Sequence, residues 1–401
     1  MKSNSCAPKI VVYLGYSSFP NGLAEVQKII MISKGLILKN NNVTVICRNG
    51  THNKFQYPTL KLTGESAGIN YLYASGSCYR NPNFFRRRLY EIKGRVNEFL
   101  ILRRMKKDNQ LDFAILSTRK FTSVLYYVIL SKVFGFKVIL NYVEYYSAFK
   151  KSIFQFRRRI NDKLFDYFAP RIANAVFPIS EFLIQHISKV APGRKYFKIP
   201  VLTDFEKYKN INISNTEPYF LFCGDAGYKE IIFFIIDSFS LLKPTTPYYL
   251  YLIVNGKAED VQQVKKYANI QQSRETIKMF SNLSEDKLYS LYKNARALLI
   301  PLRPTLQDAA RFPHKTGEYL GSGNPVISTN YGEMKFYFKD MENMLLADSY
   351  DIKLFAEKMQ FVIDHPENAK VIGAHGREIA AELFDFKKMA TPINSFLESL
   401  S

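Results

Sequence analysis

Residues 9–19 read KIVVYLGYSSF and residues 218–230 read PYFLFCGDAGYKE. Each is a short apolar run ending in a glycine-bearing loop, the pattern of a buried parallel strand that delivers a loop at its carboxyl end. The first is followed by the helical pattern AEVQKIIMISKGLILKN (24–40) and by NVTVICR (42–48), a second strand. After the other come the strongly apolar helix IIFFIIDSFSLL (231–242) and the strand YYLYLIVNG (248–256). Strand, glycine loop, helix, strand is the unit of a doubly wound sheet. Its appearance at the start of each half predicts an α/β chain of two Rossmann-like domains facing each other. The crevice between them, at the carboxyl ends of the strands, is where a ligand is expected.

The intervening sequence is consistent with this. Further strands are expected at 113–117, 137–143 and 175–180, and in the second half at ALLIPL (297–302) and NPVIST (324–329). SEDKLYSLYKNA (284–295) reads as a helix with Ser284 as its N-cap. KYFKIPVLTDFEKYKN (195–210) has no period and reads as the hinge. The most apolar stretch, FTSVLYYVILSKVFGFKVIL (121–140), is interrupted by Lys132 and Lys137. A helix followed by a strand suits it better than a membrane span of about 20 apolar residues.

With 401 residues, 47% apolar and 23% charged, the composition excludes a disordered chain and is large enough for two cores. The start, MKSNSCAPKIVVYLGYSSFP, lacks the features of a secretory signal and reads as the first strand of a mature cytosolic chain. Cys6, Cys47, Cys78 and Cys223 are scattered without a CxxC pair, which fits a reducing compartment and excludes a zinc site built from such pairs. The formal net charge is +21 and lies wholly in the first half: residues 1–214 hold 35 Lys and Arg against 12 Asp and Glu, the rest 21 against 23. Much of that surplus sits in two aromatic-rich stretches, 84–107 and 149–168. An anionic partner is expected to meet this half.

The charged residues of RFPHKTGEYLGSGNPVIST (311–329) sit just ahead of an apolar run. Pro313 pre-sets a first helical turn, so a helix is expected to begin near His314, presenting unpaired amides beside Arg311 and Lys315. Glu318, one turn past Lys315, would reach hydroxyls next to a bound phosphate. An exposed, charged helix end fits the same residues. Lys229, in the loop GDAGYKE where Gly224 and Gly227 allow close backbone approach, adds a second basic residue at the carboxyl end of a strand. Lys229, Arg311 and Lys315 could therefore converge on one diphosphate.

RFPHKTGEYLGSGNPVISTNYGE (311–333) resembles the donor-binding segment of the family 4 glycosyltransferases, which have the GT-B fold and transfer a sugar from a nucleotide diphosphate with retention. GYSSFPNGLAEVQKIIMISKGL (15–36), VFPISEFL (176–183) and IKMFSNLSEDKLYSLYKNARALLIPL (277–302) are similar to other parts of that family, and AAELFDFKKMA (380–390) resembles its last helix, which crosses back to the first domain. The resemblance implies an acceptor-side domain at 1–205, a nucleotide-sugar domain at 206–375 and a C-terminal helix at 376–401 that returns to the first domain. It implies that Glu318 bonds the donor ribose and that Lys229 and Lys315 bind the diphosphate. It also implies that Gly22 leaves room for the diphosphate and that the backbone of Phe280, Ser281 and Asn282 lines the base pocket. Gly224, Arg311, Pro313 and His314 complete the donor set. Two positions depart from the family: Ala310 stands where a glutamate is usual, and Asp225 where an arginine is. Arg311 or Arg303 would supply the missing charge, and Arg311 is favoured because it flanks the helix start.

On the acceptor side, Glu144, in NYVEYYS at the end of an expected strand, is placed to bond an acceptor hydroxyl or to orient the reacting sugar; a loop carboxylate with no such role fits equally. No DxD-like pair is evident and His52, His186, His314, His365 and His375 are isolated in sequence, so metal-independent transfer without a cofactor is expected. Basic and aromatic side chains at 84–107 and 149–168 suit an anionic membrane surface carrying a polyprenol-linked or other saccharide acceptor, as in capsule, lipopolysaccharide or glycolipid assembly. The expected place is the cytoplasmic face of the membrane. A nucleic-acid-binding protein would also use such charge, but no motif of that class is present. A dinucleotide-dependent oxidoreductase is disfavoured because GYSSFPNG lacks GxGxxG and no acidic residue stands about 20 positions on.

Overall fold

The computed structural model describes residues 7–22, 24–108, 110–149, 155–212, 217–271 and 273–401. They form two compact units, Met1–Leu202 with Phe386–Ser401, and Thr203–Asp385. The first contains β1 (Ile10–Leu14), α1 (Ala24–Ile37), β2 (Asn42–Cys47), β3 (Thr63–Ser66), β4 (Ile69–Tyr73) and α2 (Phe84–Lys107). It continues with β5 (Phe113–Leu116), α3 (Phe121–Phe134), β6 (Lys137–Tyr142), α4 (Phe156–Ile172), β7 (Ala175–Pro178) and α5 (Glu181–Val190). Its sheet has the order β3-β4-β2-β1-β5-β6-β7, with only β3 antiparallel. Leu14 pairs with both Ile46 and Leu116, so the loops after β1, β2 and β5 leave from one edge.

The second unit holds β8 (Tyr219–Asp225), α6 (Lys229–Ser240), β9 (Tyr249–Asn255), α7 (Ala258–Asn269), β10 (Ile277–Phe280), α8 (Glu285–Asn294) and β11 (Ala297–Ile300). Then come α9 (Leu306–Ala310), α10 (Lys315–Ser322), β12 (Val326–Thr329), α11 (Met334–Tyr337), β13 (Leu345–Ala347), α12 (Ile352–Asp364) and α13 (Pro366–Leu383). Its sheet, β10-β9-β8-β11-β12-β13, is parallel throughout. The apolar runs are continuous because both faces of such strands are covered. Phe220, Leu250, Leu252 and Leu299 pack with Ile232 and Ile235 of α6 and Phe355 and Met359 of α12.

Several boundaries differ from the sequence reading. The second unit runs from Thr203 to Asp385, against the expected 206–375, because all of α13 packs with it. The stretch 380–390 is not one helix: α13 ends at Leu383 and α14 (Phe386–Glu398) starts anew within the first unit. There Phe386, Ile393 and Leu397 join the core of Val11, Ile115 and Phe177. Gly35 on α1 favours this close packing, since a Cβ there would lie 3.2 Å from the Phe386 carbonyl oxygen, a tight contact. The segment expected as a hinge contains the 3-10 turn Phe205–Tyr208 and the unit boundary.

The basic stretch 84–107 is α2. Arg48 Nε donates to the buried Glu98 carboxylate at 2.8 Å and the Tyr127 hydroxyl donates to its other oxygen at 2.7 Å, which pins the helix to the sheet. Of the stretch 149–168, residues 150–154 lie outside the described residues and 156–168 belong to α4. Residues 121–140 form α3 and β6, joined at Gly135 with φ +72°. Among the described residues, no helix is long and apolar enough to cross a membrane.

Candidate functional site

Helix α10 begins at Lys315 with His314 as N-cap, and Pro313 precedes the cap, its carbonyl accepting from the Thr316 amide at 3.0 Å. It ends at Gly323, whose φ of +80° lets the chain turn into β12. Nearly every residue of the helix is buried. The Tyr319 hydroxyl accepts the Cys223 amide of β8 at 2.8 Å, and the Tyr208 hydroxyl donates to the Glu318 carbonyl. Gly321 leaves room for the Tyr208 ring, which a Cβ would approach to 2.7 Å.

This packing decides the protonation of Glu318. Its carboxylate, 6% exposed, lies 2.7 Å from Lys315 Nζ and 3.4 Å from His314 Nε2. Burial would raise its pKa, but Lys315 and His314 hold it well below the usual carboxylate range. Lys315 is correspondingly raised: burial works against its charge, and Glu318 outweighs burial. Lys315 Nζ also donates to Tyr292 Oη at 2.9 Å. Rings of Tyr208, Tyr289, Tyr292 and Tyr319 stand edge to face around the pair.

The two candidate arginines share one acid. Asp308, fully buried on α9, accepts from Arg303 Nε at 2.9 Å and forms an ion pair with Arg311 Nη2 at 2.9 Å. Arg311 lies 4.7 Å from the centre of the Tyr228 ring, next in sequence to Lys229, and its buried Nε has no hydrogen-bond partner among the described residues. Lys229 Nζ donates to Gln263 at 2.6 Å and lies 3.4 Å from Asp260. The three expected cations thus rest on three separate partners: Lys315 on Glu318, Arg311 on Asp308, and Lys229 on α7.

The glycines have reasons inside the chain. A Cβ on Gly224 would lie 2.7 Å from the Phe222 ring, on Gly227 2.9 Å from Asp225 Oδ1, and on Gly22 2.5 Å from Val26. Asp225, at the position of the usual arginine, accepts the Gly227 amide at 2.8 Å and shapes the loop. Phe280 ends β10 with its ring 5.0 Å from that of Tyr251. Beyond Ser281, Asn282 adopts φ +53° with its amide on Asn255 Oδ1 at 2.9 Å. Ala310 is fully buried at the end of α9.

In the first unit, Glu144 follows β6 and lies near Glu25 of α1, a residue that sequence reading passed over. Burial pushes the Glu25 carboxyl up to about 7, helped by Glu144 and opposed by a hydrogen bond with Ser117. Burial likewise pushes Lys28 down to about 7, against the pull of Glu25. Lys28 Nζ has no hydrogen-bond partner among the described residues. The only available sequence signal was a lysine on the apolar face of a helix. From its usual 10.5 down to about 7, the unfolded chain binds the Lys28 proton and the fold does not, so stability should rise with pH across this window. Lys28→Met should melt higher than the wild type near pH 7, by about 1–3 kcal/mol, and lose the alkaline rise. A rise retained in melting temperatures from neutral to alkaline pH would show that Lys28 is not its source. Among the described residues, no three His, Cys, Asp or Glu side chains gather as a metal site.

Residues 204–379 match the family described as Glycosyl transferases group 1. The match spans nearly all of the second unit. Glycosyl transfer is accordingly the activity class of the chain, and Glu318, Lys315, Arg311 and Lys229 all lie inside the group 1 domain. Solved structures extend the likeness of fold to both units. Sucrose-phosphate synthase of Thermosynechococcus elongatus has a TM-score of 0.77 at 15% identity, over 98% of this chain and 99% of that one. A glycosyltransferase from Rickettsia africae gives 0.70 at 16%, over 98% of each. Anabaena HepE in complex with UDP-glucose gives 0.70 at 15%, over 98% and 99%. The chain therefore has the GT-B fold. No curated protein sequence matches it.

Proposed function

We propose that the chain transfers a hexosyl or related glycosyl group from a nucleoside diphosphate sugar to a saccharide or lipid-linked saccharide, with retention and without a metal. The observation that carries this is the buried Lys315–Glu318 pair at the start of α10. An ionised carboxylate has about four lone-pair sites. Lys315 and His314 take two of them, leaving two for a ribose diol. Arg311, with its spare Nε, and Lys229 supply charge for the diphosphate. The bond from the anomeric carbon to the phosphate oxygen breaks, the acceptor oxygen bonds to that carbon on the same face, and the departing phosphate oxygen takes the acceptor proton. Preorganised cations stabilise the charge that develops on the leaving group. Phe280, Ser281 and Asn282 line the base, and Glu144 orients the acceptor. The basic helix α2 and the start of α4 hold the enzyme at an anionic membrane face, where surface polysaccharide or glycolipid is assembled. HepE, of the same fold, is solved with UDP-glucose, which makes uridine nucleotides the first to test.

A thermal-shift panel of nucleoside diphosphates and nucleotide sugars tests the donor site, because a ligand of the native state raises its stability. UDP or a related diphosphate should raise the melting temperature, and Lys229→Ala should weaken that shift by roughly tenfold in ligand concentration. No shift in the wild type by any nucleoside diphosphate would refute the reading.

A further inference from the structure

The first unit contains a cavity of about 430 Å³ that the donor chemistry does not use. Its walls are the loops after β2, β4 and β5 and the first turns of α2. Ligands of doubly wound sheets sit at that edge. The walls are built firmly. The His52 amide donates to the Cys78 carbonyl at 3.2 Å, and the Arg80 amide donates to the His52 carbonyl at 3.0 Å. Gly50 lets the two loops meet, since a Cβ there would fall 2.0 Å from the Cys78 carbonyl carbon. Asn83 caps α2 through the Arg86 amide at 3.1 Å.

Four cations line this cavity, Arg80, Arg87, Arg88 and Lys120, against one acid. That acid, Glu91, is already paired with Arg88 at 2.6 Å. Among the described residues, Arg80, Arg87 and Lys120 make no salt bridge. Three unpaired cations beside a helix N-terminus call for an anion of more than one charge. The same helix carries an apolar stripe away from the cavity: Phe85, Leu89, Ile92, Val96 and Leu100, spaced by four or three residues, are each at least 50% exposed. On α3, Leu125, Ile129 and Val133 repeat the pattern at a spacing of four, each more than 40% exposed. A soluble anion would have no use for these stripes.

We infer that the cavity binds the phosphate or diphosphate of a membrane-embedded amphiphile, while the α2 stripe enters the same membrane. This rests on the glycosyltransferase reading and names the acceptor class: a saccharide acceptor joined to its lipid through phosphate. The acceptor's phosphate would be held by Arg80, Arg87 and Lys120 while its sugar remains outside the cavity for transfer.

The test measures binding of the full chain to phosphatidylcholine vesicles carrying farnesyl phosphate, and to vesicles brought to the same surface charge with phosphatidylglycerol. The wild type should prefer the phosphate monoester. Arg87→Ala and Lys120→Ala should each reduce that preference by roughly fivefold. Leu89→Ser with Ile92→Ser should weaken binding to both vesicles, leaving the preference intact. Equal binding of the two vesicles by the wild type, or a preference untouched in Arg87→Ala and Lys120→Ala, would overturn the inference. So would inorganic phosphate displacing the protein from neither vesicle. UDP thermal shifts on the same variants separate the two readings: the shifts should stay at the wild-type value, and their absence in the wild type would refute the donor site instead.

Discussion

Replacing Glu318 by glutamine is expected to lower the transfer rate by roughly 10²–10³-fold and to reduce the UDP-induced thermal shift, with a stability loss of about 3 kcal/mol. Both effects come from one carboxylate. In the fold it is buried, and Lys315 lies 2.7 Å away. An amide of the same size keeps the shape but leaves the lysine without its counter-charge, which is the costly way to break a buried pair. Because the folded pKa is depressed, the stabilisation is fully present above the ordinary carboxylate pKa and fades as pH falls below it. Urea unfolding should therefore show a wide gap between the wild type and Glu318→Gln at pH 7 and a narrower one at pH 3. A gap independent of pH would mean that the pair is not what stabilises α10. An unchanged UDP shift in the variant would remove Glu318 from the donor site.

The second large effect is expected at Asp308. Its carboxylate accepts from the Arg303 amide and guanidinium, each at 2.9 Å, and pairs with the Arg311 guanidinium at 2.9 Å. Asparagine offers one accepting oxygen and turns an NH2 group towards donors, so Asp308→Asn should cost about 3–5 kcal/mol. In a unit of this size, that corresponds to a fall of roughly 10 °C in melting temperature. Arg311→Ala should cost less, because Arg303 still satisfies the acid, yet should weaken UDP binding more. If the two variants lose stability alike, Asp308 is not the shared anchor. The nearest acid upstream of Ala310 is thus committed to arginines.

What was legible in the sequence was whatever depends on period and order. β1, β8 and β9 are buried on both faces and so read as unbroken apolar runs, and α6 and α8 follow from helical spacing. β3, β4 and β10 were missed because exposed or part-buried positions keep them from reading as unbroken apolar runs, and β13 because it has three residues. The start of α10 was legible too, through Pro313 ahead of it. Ser284 was correctly placed as the N-cap of α8, although its side chain makes no capping hydrogen bond.

Partners were not legible. Lys315 and Glu318 share a helix face and their pairing follows from local spacing, but nothing local says that Tyr208, 110 positions away, and Tyr292 enclose them. Nor does local sequence say that Arg303 and Arg311 converge on Asp308, or that Lys229 turns to α7. The same holds for Arg80, Arg87 and Lys120, which come from three separate segments and meet around one cavity only when β4, β2, β1 and β5 lie side by side. By itself the sequence determined the two parallel α/β units, the basic character of the first and the start of a helix beside Lys315, because these depend on residue type and on spacing within a few turns. Tertiary structure alone decided which cations are already neutralised and which are not. Counter-charge is a matter of ångströms between side chains, and chain order does not fix those distances.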